Sequence, residues 1–250
     1  MAKQRLDRIL AEMGVGSRRD IKKMARSGLI EVDGRVVRDP SLHIDPGQQV
    51  LCVAGQPVHY QRLHYWMMNK PPGVVSAVID PRHRTVIDLL DESDRTPHLF
   101  PAGRLDIDTE GFVLITDDGQ LAHAILSPKR HVSKTYRATV QGRVSDADIA
   151  AFAQGLILRD GYRALPAHLQ ILNAGERSEV EIVLREGKFH QIKRMFAALG
   201  KPVLYLKRVA IGGVQLDPSL PPGGYRALAD DEVARLRETD PRLPPRPAES

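Results

Sequence analysis

The stretch Gly103–Gly111 holds the residues whose types and spacing are best suited to chemistry. It places Asp106 close to Arg104, between two glycines and shortly before the apolar run Phe112–Ile115. A carboxylate next to a buried strand loses hydration unless it has a partner or a function. We therefore interpret this stretch either as an acidic turn or as a reaction centre.

Two basic segments follow, at residues 129–137 and 185–195. Both are rich in lysine and arginine, and Glu186 is their single acid. The side chains in them that could act on a substrate are Lys134, Tyr136, His190, Lys193 and Arg194. An acidic centre with basic segments nearby suits an enzyme that holds a polyanion around a carboxylate. Tyr136 taken alone is more typical of a core.

The N-terminal residues 1–58 are predicted to form a small domain of two helices followed by a sheet. Apolar residues at helical spacing predict the first helix at Leu6–Met13. Ser17 is typical of an N-cap, with Asp20 three residues later, and begins the second helix. The pair Asp33-Gly34 predicts a β-hairpin.

The second helix has one strongly basic face. Its members are Arg18, Arg19, Lys22, Lys23 and Arg26. The opposite face carries Ile21, Met24 and Ala25, which suits a core. Most solvated faces mix charges of both signs, whereas this helix has only Asp20 as an acid, so we interpret the basic face as a phosphate-binding surface.

A second domain is predicted at residues 65–239, after a linker at 59–64. Apolar and alternating runs predict strands at 65–68, 112–115, 135–140, 167–172, 179–184, 203–206 and 209–211, and helical spacing predicts helices at 86–90, 121–126, 146–152, 191–199 and 231–238. The elements do not alternate regularly, so we expect an α+β fold with a mixed, mostly antiparallel sheet. Residues 240–250 contain four prolines and are expected to be a disordered tail.

Composition favours a polyanionic partner in a reducing compartment. The net charge is +5 and the isoelectric point is near 9.4. Cys52 is the single cysteine, so an internal disulfide is excluded. No secretory leader follows Met1, and no apolar run approaches the roughly 18 residues of a membrane span. We expect a cytoplasmic protein, and a monomer is the simplest expectation.

Several other classes of site lack their motifs. The sequence contains neither a Walker loop nor a Gly-x-Gly-x-x-Gly fingerprint, and its histidines do not form a His-Glu-x-x-His zinc motif. Asp106-Ile107-Asp108 matches the Asp-x-Asp of metal-dependent nucleotide-sugar glycosyltransferases, but no second ligand set accompanies it. The residues alone therefore indicate a basic protein that handles RNA or DNA, with Asp106 as the candidate catalytic residue.

Four motifs, in order, resemble those of RNA pseudouridine synthases. They are Met68–Gly73, Gly103–Asp106 with Thr109–Gly111, Lys134–Tyr136 and His190–Met195. Residues 5–53 are similar to an S4 RNA-binding domain, which commonly precedes this catalytic domain. Within the family, Glu186–Ala198 is most similar to the small-subunit synthase A type, which implies one uridine of 16S ribosomal RNA as the target.

The resemblance implies roles for individual residues. Asp106 matches the family's catalytic carboxylate, which must be ionised to act as a nucleophile or as a base. Lys193, where many relatives carry arginine, is the candidate cation that holds this charge. Tyr136 would stack on the extruded uracil. Arg104 would fill the gap left by that base or grip its phosphate. The other motif residues expected to bind RNA are Lys134, His190 and Arg194.

The implied reaction is an isomerisation, which requires neither a redox cofactor nor a metal. The expected partner is ribosomal RNA or an assembling small ribosomal subunit, without a membrane. Asp108 and Glu110 are expected to be local scaffold. Three alternatives remain open: a large-subunit (23S) synthase, a non-catalytic rRNA-binding assembly factor, and a metal-dependent transferase that acts on nucleotide sugars.

Overall fold

A computed structural model describes residues 3–46, 48–58, 63–127 and 132–244. The chain divides into two compact units, Met1–Leu63 and His64–Ser250. Most of the predicted linker lies outside the described residues, as do Lys129, Arg130 and His131. His64 was predicted to end the linker, but its backbone N–H donates to Asp117 at 2.7 Å and it belongs to the second unit.

The first unit is built from two helices and short strands. In order they are β1 (Gln4–Arg5), α1 (Leu6–Glu12), α2 (Arg18–Arg26), β2 (Ile30–Val32), β3 (Arg35–Val36), β4 (His43–Ile44), β5 (Leu51–Val53) and β6 (Gln56–Val58). One sheet has the order β3-β2-β5-β6, and β1 pairs with β4. Fully buried Leu6, Ile21 and Ile30 join both helices to the larger sheet in one core.

Local sequence signals explain how α2 begins and how the chain then reverses. The Ser17 hydroxyl accepts a hydrogen bond from the Asp20 backbone at 3.2 Å, and the Asp20 carboxylate accepts one from the Ser17 backbone at 3.3 Å. Asp33 and Gly34 have φ angles of 51° and 73°, which a tight turn between twisted strands requires. The predicted helix start and hairpin are confirmed.

The second unit is organised around one large sheet. Its elements are β7 (Tyr65–Lys70), a 3-10 helix (Glu92–Asp94), β8 (Phe100–Pro101), β9 (Glu110–Thr116), α3 (Gly119–Leu126), β10 (Lys134–Gln141), α4 (Asp146–Gln154), β11 (His168–Asn173), β12 (Arg177–Leu184), α5 (Gln191–Ala198), β13 (Val203–Ile211), β14 (Val214–Gln215), β15 (Tyr225–Ala227) and α6 (Asp230–Arg235). The strand order is β11-β12-β10-β13-β9-β7-β15, with β14 on β13 and β8 on β9. Only the β9–β13 pair is parallel among these pairings, so the predicted α+β fold with a mostly antiparallel sheet is confirmed.

Both faces of the sheet are covered at β9. Phe112 and Leu114 belong to a core that includes residues of α3, whereas Val113 and Ile115 belong to a core that includes residues of α5. All four side chains are fully buried. This double burial explains why the sequence has a continuous apolar run here in place of an alternating one.

The helix predicted at residues 86–90 is wrong. The structure has turns there, because the Asp88 carboxylate accepts hydrogen bonds from the Thr85 backbone and hydroxyl at 2.8 and 3.0 Å. The Val86 backbone N–H donates to Val75 O at 3.0 Å. The backbone N–H groups of Thr85 and Val86 therefore have hydrogen-bond partners without a helix.

The two strands predicted at 203–206 and 209–211 are one strand, β13. The predicted strands leave Lys207 and Arg208 unpaired, but their backbones pair with Glu110 and Gly111 of β9. A Cβ atom at Gly111 would lie 2.2 Å from the Arg208 carbonyl oxygen, and the φ angle of Gly111 is +103°. The glycine that ends the Asp106 stretch is thus required by the close approach of these two strands.

The disorder predicted from residue 240 is wrong for its first residues. The Asp240 backbone N–H donates to the Ser133 hydroxyl at 3.0 Å, and Arg242 bonds Glu181 at 2.7 Å. Leu243 is only 6% exposed, so burial of its side chain accompanies these polar contacts. Residues 245–250 lie outside the described part of the chain.

Candidate active site

The loop between β8 and β9 carries Asp106. Buried Leu105 anchors the loop, and its backbone N–H donates to the Ser76 hydroxyl at 3.1 Å. The Thr109 backbone N–H donates to the Asp106 carbonyl at 3.0 Å and closes a turn. The Asp106 carboxylate is 25% exposed, so a substrate can reach it from solvent.

Lys70 lies buried beneath this loop. Its ammonium donates to the carbonyl oxygens of Thr109, Pro71 and Ile107 at 2.8, 3.0 and 3.3 Å. Burial lowers the pKa of Lys70 to about 8, although the loop carboxylates act in the opposite direction. Lys70 therefore fixes the backbone on both sides of Asp108. Lys70 ends β7 and precedes two prolines in the Met68–Gly73 motif, but its type and position predicted no role for it.

Helix α5 brings a cation to the carboxylate. Lys193 Nζ lies 3.1 Å from Asp106 Oδ2 and 2.6 Å from Asp108 Oδ1. Burial disfavours the charged form of Lys193, but the bonds to both carboxylates outweigh it and raise its pKa above the ordinary value. The contact to Asp106 agrees with the expected charge compensation.

Asp108 was expected only to support the loop, but it bonds Lys193, the same cation that lies beside Asp106. Its hydrogen bond to Lys193 lowers the pKa of Asp108. The two carboxylates therefore share one ammonium group. Glu110 does match the expected scaffold position, since it accepts a hydrogen bond from the Tyr205 hydroxyl at 2.9 Å.

Buried polar contacts shape the segment before α5. Glu186 Oε1 accepts from Gln191 Nε2 at 2.5 Å and from the Leu165 backbone at 2.8 Å, and Oε2 accepts from the Tyr162 hydroxyl at 2.6 Å. Gln191 Oε1 accepts in turn from the Lys188 backbone at 2.9 Å. Glu186 and Gln191 were missed as positioning residues. The lone acid within a basic segment was the signal that could have revealed Glu186.

His190 lies between this segment and α5. Its φ angle is 50°, an uncommon left-handed conformation for a residue with a side chain. Nε2 lies 3.6 Å from Asp106 Oδ2, and the imidazole packs flat against the ring of Phe189. His190 thus reaches the same carboxylate as Lys193, although the two were predicted for different roles.

A cavity beside Asp106 collects the predicted substrate-facing residues. Arg104, Asp106, Tyr136 and His190 line it together with apolar Leu206. Tyr136 is 8% exposed on β10. Its hydroxyl has no hydrogen bond to the described residues, which leaves it available to a ligand in the cavity.

The remaining predicted RNA contacts differ in availability. Arg104 is exposed at the cavity and has no ion pair with the described residues. Arg194 is already engaged, because its guanidinium pairs with Asp160 and donates to Phe189 O at 3.4 Å.

Lys134 does not fit the predicted contact with RNA. It is only 7% exposed, and its ammonium donates to Ile125 O and Val132 O, both at 2.8 Å. Burial lowers the pKa of Lys134 to about 8, and Arg208 acts in the same direction. The side chain therefore joins the end of α3 to β10 instead of reaching the surface.

The basic helix of the first unit agrees with the predicted face. Its five cations, Arg18, Arg19, Lys22, Lys23 and Arg26, are all exposed. Ile21 and Ala25 point into the core. None of the five forms an ion pair with the described residues, so each can meet an anion without first breaking an internal bond.

The described residues contain neither a cluster of metal-ligating side chains nor a membrane-spanning helix. No three His, Cys, Asp or Glu side chains within the described ranges come close enough to share a metal ion. No helix in those ranges is both long and apolar enough to cross a membrane.

Comparison with known proteins identifies both parts of the chain. The sequence profile of the family described as RNA pseudouridylate synthase matches residues 64–198, and that of the S4 domain matches residues 4–50. A solved structure described as a pseudouridylate synthase superposes with a TM-score of 0.64 at 36% identity, covering 94% of this chain and 100% of that one.

Two relatives extend the similarity over almost the whole chain. The RNA pseudouridine synthase YtzG of Bacillus subtilis is 46% identical, covering 94% of this chain and 98% of that protein. Ribosomal small subunit pseudouridine synthase A of Escherichia coli is 41% identical, covering 93% of this chain and 99% of that protein. The chain therefore belongs to the RNA pseudouridylate synthase family and carries an S4 domain before the catalytic domain.

Proposed function

We propose that the protein converts one uridine of 16S ribosomal RNA into pseudouridine, with Asp106 as the catalytic residue. The observation that carries the proposal is the Asp106 carboxylate at a cavity lined by Tyr136, with Lys193 Nζ 3.1 Å away. Similarity to the small-subunit enzyme of Escherichia coli supports the choice of 16S RNA.

The reaction conserves every atom of the uridine. The bond between C1′ and N1 breaks, the uracil rotates, and a bond between C1′ and C5 forms. C5 then loses a proton, and N1 carries one in the product. No electron is transferred to another molecule and no water is consumed, so the task of the protein is to hold the base and stabilise charge.

Asp106 can act in two ways on this path. As a nucleophile it attacks C1′, and as a base it removes a proton from the ribose. A substrate deuterated on the ribose separates the two, because proton removal gives a primary isotope effect and attack at C1′ does not. In either case the Lys193 ammonium, 3.1 Å from the carboxylate, offsets its negative charge.

The cavity requires the uridine to leave its stack. A base inside an RNA helix presents only its edges, so the nucleotide has to be extruded before Asp106 can reach the sugar. Tyr136 forms a wall of the cavity and would stack on the extruded uracil. Arg104 is placed to grip a phosphate or to occupy the space that the base leaves.

The first unit would hold the RNA through its phosphates. Exposed cations on α2 provide attraction that does not depend on base sequence. We propose that the substrate is ribosomal RNA or an assembling small subunit, and that the protein acts as a monomer. A single cysteine, Cys52, is in keeping with a reducing compartment such as the cytoplasm.

The proposal is tested by mapping pseudouridine in 16S and 23S RNA incubated with the protein. We expect one new site in 16S RNA, and Asp106→Asn should lower its rate of formation by at least about a thousandfold without weakening RNA binding. Asp146→Asn, the same change at an exposed residue of α4, is the matched control.

Other outcomes point to the alternatives. A new site in 23S RNA alone would transfer the proposal to the large subunit. Unmodified RNA with intact binding would indicate an assembly factor, and chelator-sensitive transfer from a nucleotide sugar would indicate a glycosyltransferase. Retained turnover in Asp106→Asn would overturn the catalytic assignment.

A further inference from the structure

Phe189 is an aromatic residue that the core does not use. Its side chain is 75% exposed, in a chain where aromatic residues make up only 5%. Its ring stacks on His190, with 3.8 Å between ring centroids and 18° between ring planes. Exposed aromatic rings beside a nucleic-acid site are the groups on which unpaired bases stack.

The stack begins at the candidate active site. His190 lines the cavity and approaches Asp106, with 3.6 Å between Nε2 and the carboxylate. Phe189 covers one face of that imidazole. The exposed Phe189 ring therefore contacts His190, the side chain that approaches the Asp106 carboxylate.

Backbone contacts hold this pair in place without help from a ligand. The Gln191 backbone N–H donates to Lys188 O at 3.1 Å, and the Gln191 side chain accepts from the Lys188 backbone at 2.9 Å. The Arg194 backbone N–H donates to His190 O at 2.9 Å. These bonds fix the backbone that carries the ring, and the stack on His190 restricts the ring itself, so little conformational entropy is lost when another ring stacks on it.

We propose that Phe189 is the stacking surface for an unpaired base next to the target uridine. This inference rests on the proposed function, since extrusion of the uridine deprives its neighbours of a stacking partner. Aromatic faces accept any base, and exposed cations nearby suit the connecting phosphates. Lys188, which precedes Phe189, and Arg104 at the cavity are both exposed.

The experiment begins with the wild-type protein and the uridine that it converts. Short RNAs that contain this uridine carry the fluorescent base 2-aminopurine at each neighbouring position in turn. Phe189→Ala, Phe189→Trp and Leu172→Ala are then compared. Leu172 is the control, because it is 46% exposed on the edge strand β11, at the end away from Leu184 and the cavity.

We expect wild-type protein to quench 2-aminopurine at one neighbouring position, and Phe189→Ala to abolish this quenching. The variant should also lose about tenfold in kcat/KM, the size expected for one base stacked on an aromatic ring. Phe189→Trp should retain both properties, and Leu172→Ala should match wild type. The slope of affinity against salt should not change, because no charge is removed.

Unchanged quenching and unchanged kcat/KM in Phe189→Ala would overturn the inference while leaving the proposed function intact. A loss of kcat/KM without any change in quenching would also overturn it, since the ring would then act only by supporting His190. Failure of wild-type protein to form pseudouridine would instead overturn the proposed function.

Discussion

The basic helix of the first unit and three lysines of the second unit use their positive charges in opposite ways. On α2, exposed side chains such as Arg18 and Lys22 have no ion pair with the described residues. In the second unit, Lys193 is shared by the two carboxylates of the Asp106 loop, while Lys70 and Lys134 are buried against carbonyl oxygens. A cation without an internal partner can thus attract RNA phosphates from a distance, whereas a cation bonded inside the protein holds nearby groups in position.

Removal of the two kinds of cation should therefore change different measured quantities. A free surface cation that meets a phosphate displaces a counterion condensed on the RNA, so its removal changes the salt dependence of RNA binding. A cation already bonded inside the protein meets no phosphate and displaces no such ion, so its removal should change rate or stability instead. Three variants test this contrast, in order of decreasing expected effect.

Replacing Lys193 with methionine should have the largest effect. We expect the rate of pseudouridine formation to fall at least about 100-fold, because Asp106 loses a cation 3.1 Å away, while RNA affinity changes little. Single-turnover rates at saturating protein measure this loss. Lys193→Arg is the control that keeps the charge. A wild-type rate in Lys193→Met would show that the cation is dispensable.

Removing charge from α2 should have the converse effect. We expect Arg18→Gln, Lys22→Gln and Arg26→Gln together to weaken RNA binding about tenfold to a hundredfold and to reduce the salt slope by about two to three. The rate at saturating RNA should persist. The charge-preserving set Arg18→Lys, Lys22→Arg and Arg26→Lys is the matched control. An unchanged slope would contradict a phosphate-binding role for this face.

Lys134→Met should change the pH dependence of stability. The pKa of Lys134 is about 8 in the folded protein against an ordinary 10.5, so the unfolded chain binds more protons between these values and wild-type stability rises with pH there. The methionine variant lacks this gain, which should amount to about 1–3 kcal/mol across the window.

Fluorescence of Trp66, the single tryptophan, reports unfolding of the second unit and measures this effect. Denaturant unfolding of both proteins at pH 7.5, 9 and 10.5 is sufficient. Curves of unfolding free energy that stay parallel over this range would show that Lys134 titrates normally, contrary to its buried position.

Much of the fold follows from local sequence. The Ser17 cap, the Asp33-Gly34 turn and the apolar run of β9 each set their own backbone through short-range preferences. One error arose from a nearby side chain and the other from a distant strand. The Asp88 carboxylate accepts a hydrogen bond from the Thr85 backbone three residues earlier, and turns form there in place of a helix. Pairing with β9 continues β13 through Arg208 without a break.

The sequence by itself determined which residues could do chemistry at the candidate site. Asp106, Tyr136 and Lys193 were identified through motifs, and the structure brings all three to one cavity or its edge. Those motifs lie far apart in the chain, so only the strand order and the packing of α5 could show their distances. The sequence therefore gives the residue types, whereas the distances between these three side chains follow only from the tertiary structure.

Only the tertiary structure decided which cations remain free. Lys134 and Lys22 are chemically identical, yet one is buried against two carbonyl oxygens and the other faces solvent. Sharing of Lys193 by Asp106 and Asp108, and stacking of Phe189 on His190, are equally invisible in sequence spacing. Burial and the folded arrangement of the backbone set these roles, because spacing along the chain fixes neither the carbonyl oxygens around an ammonium group nor the orientation of two rings.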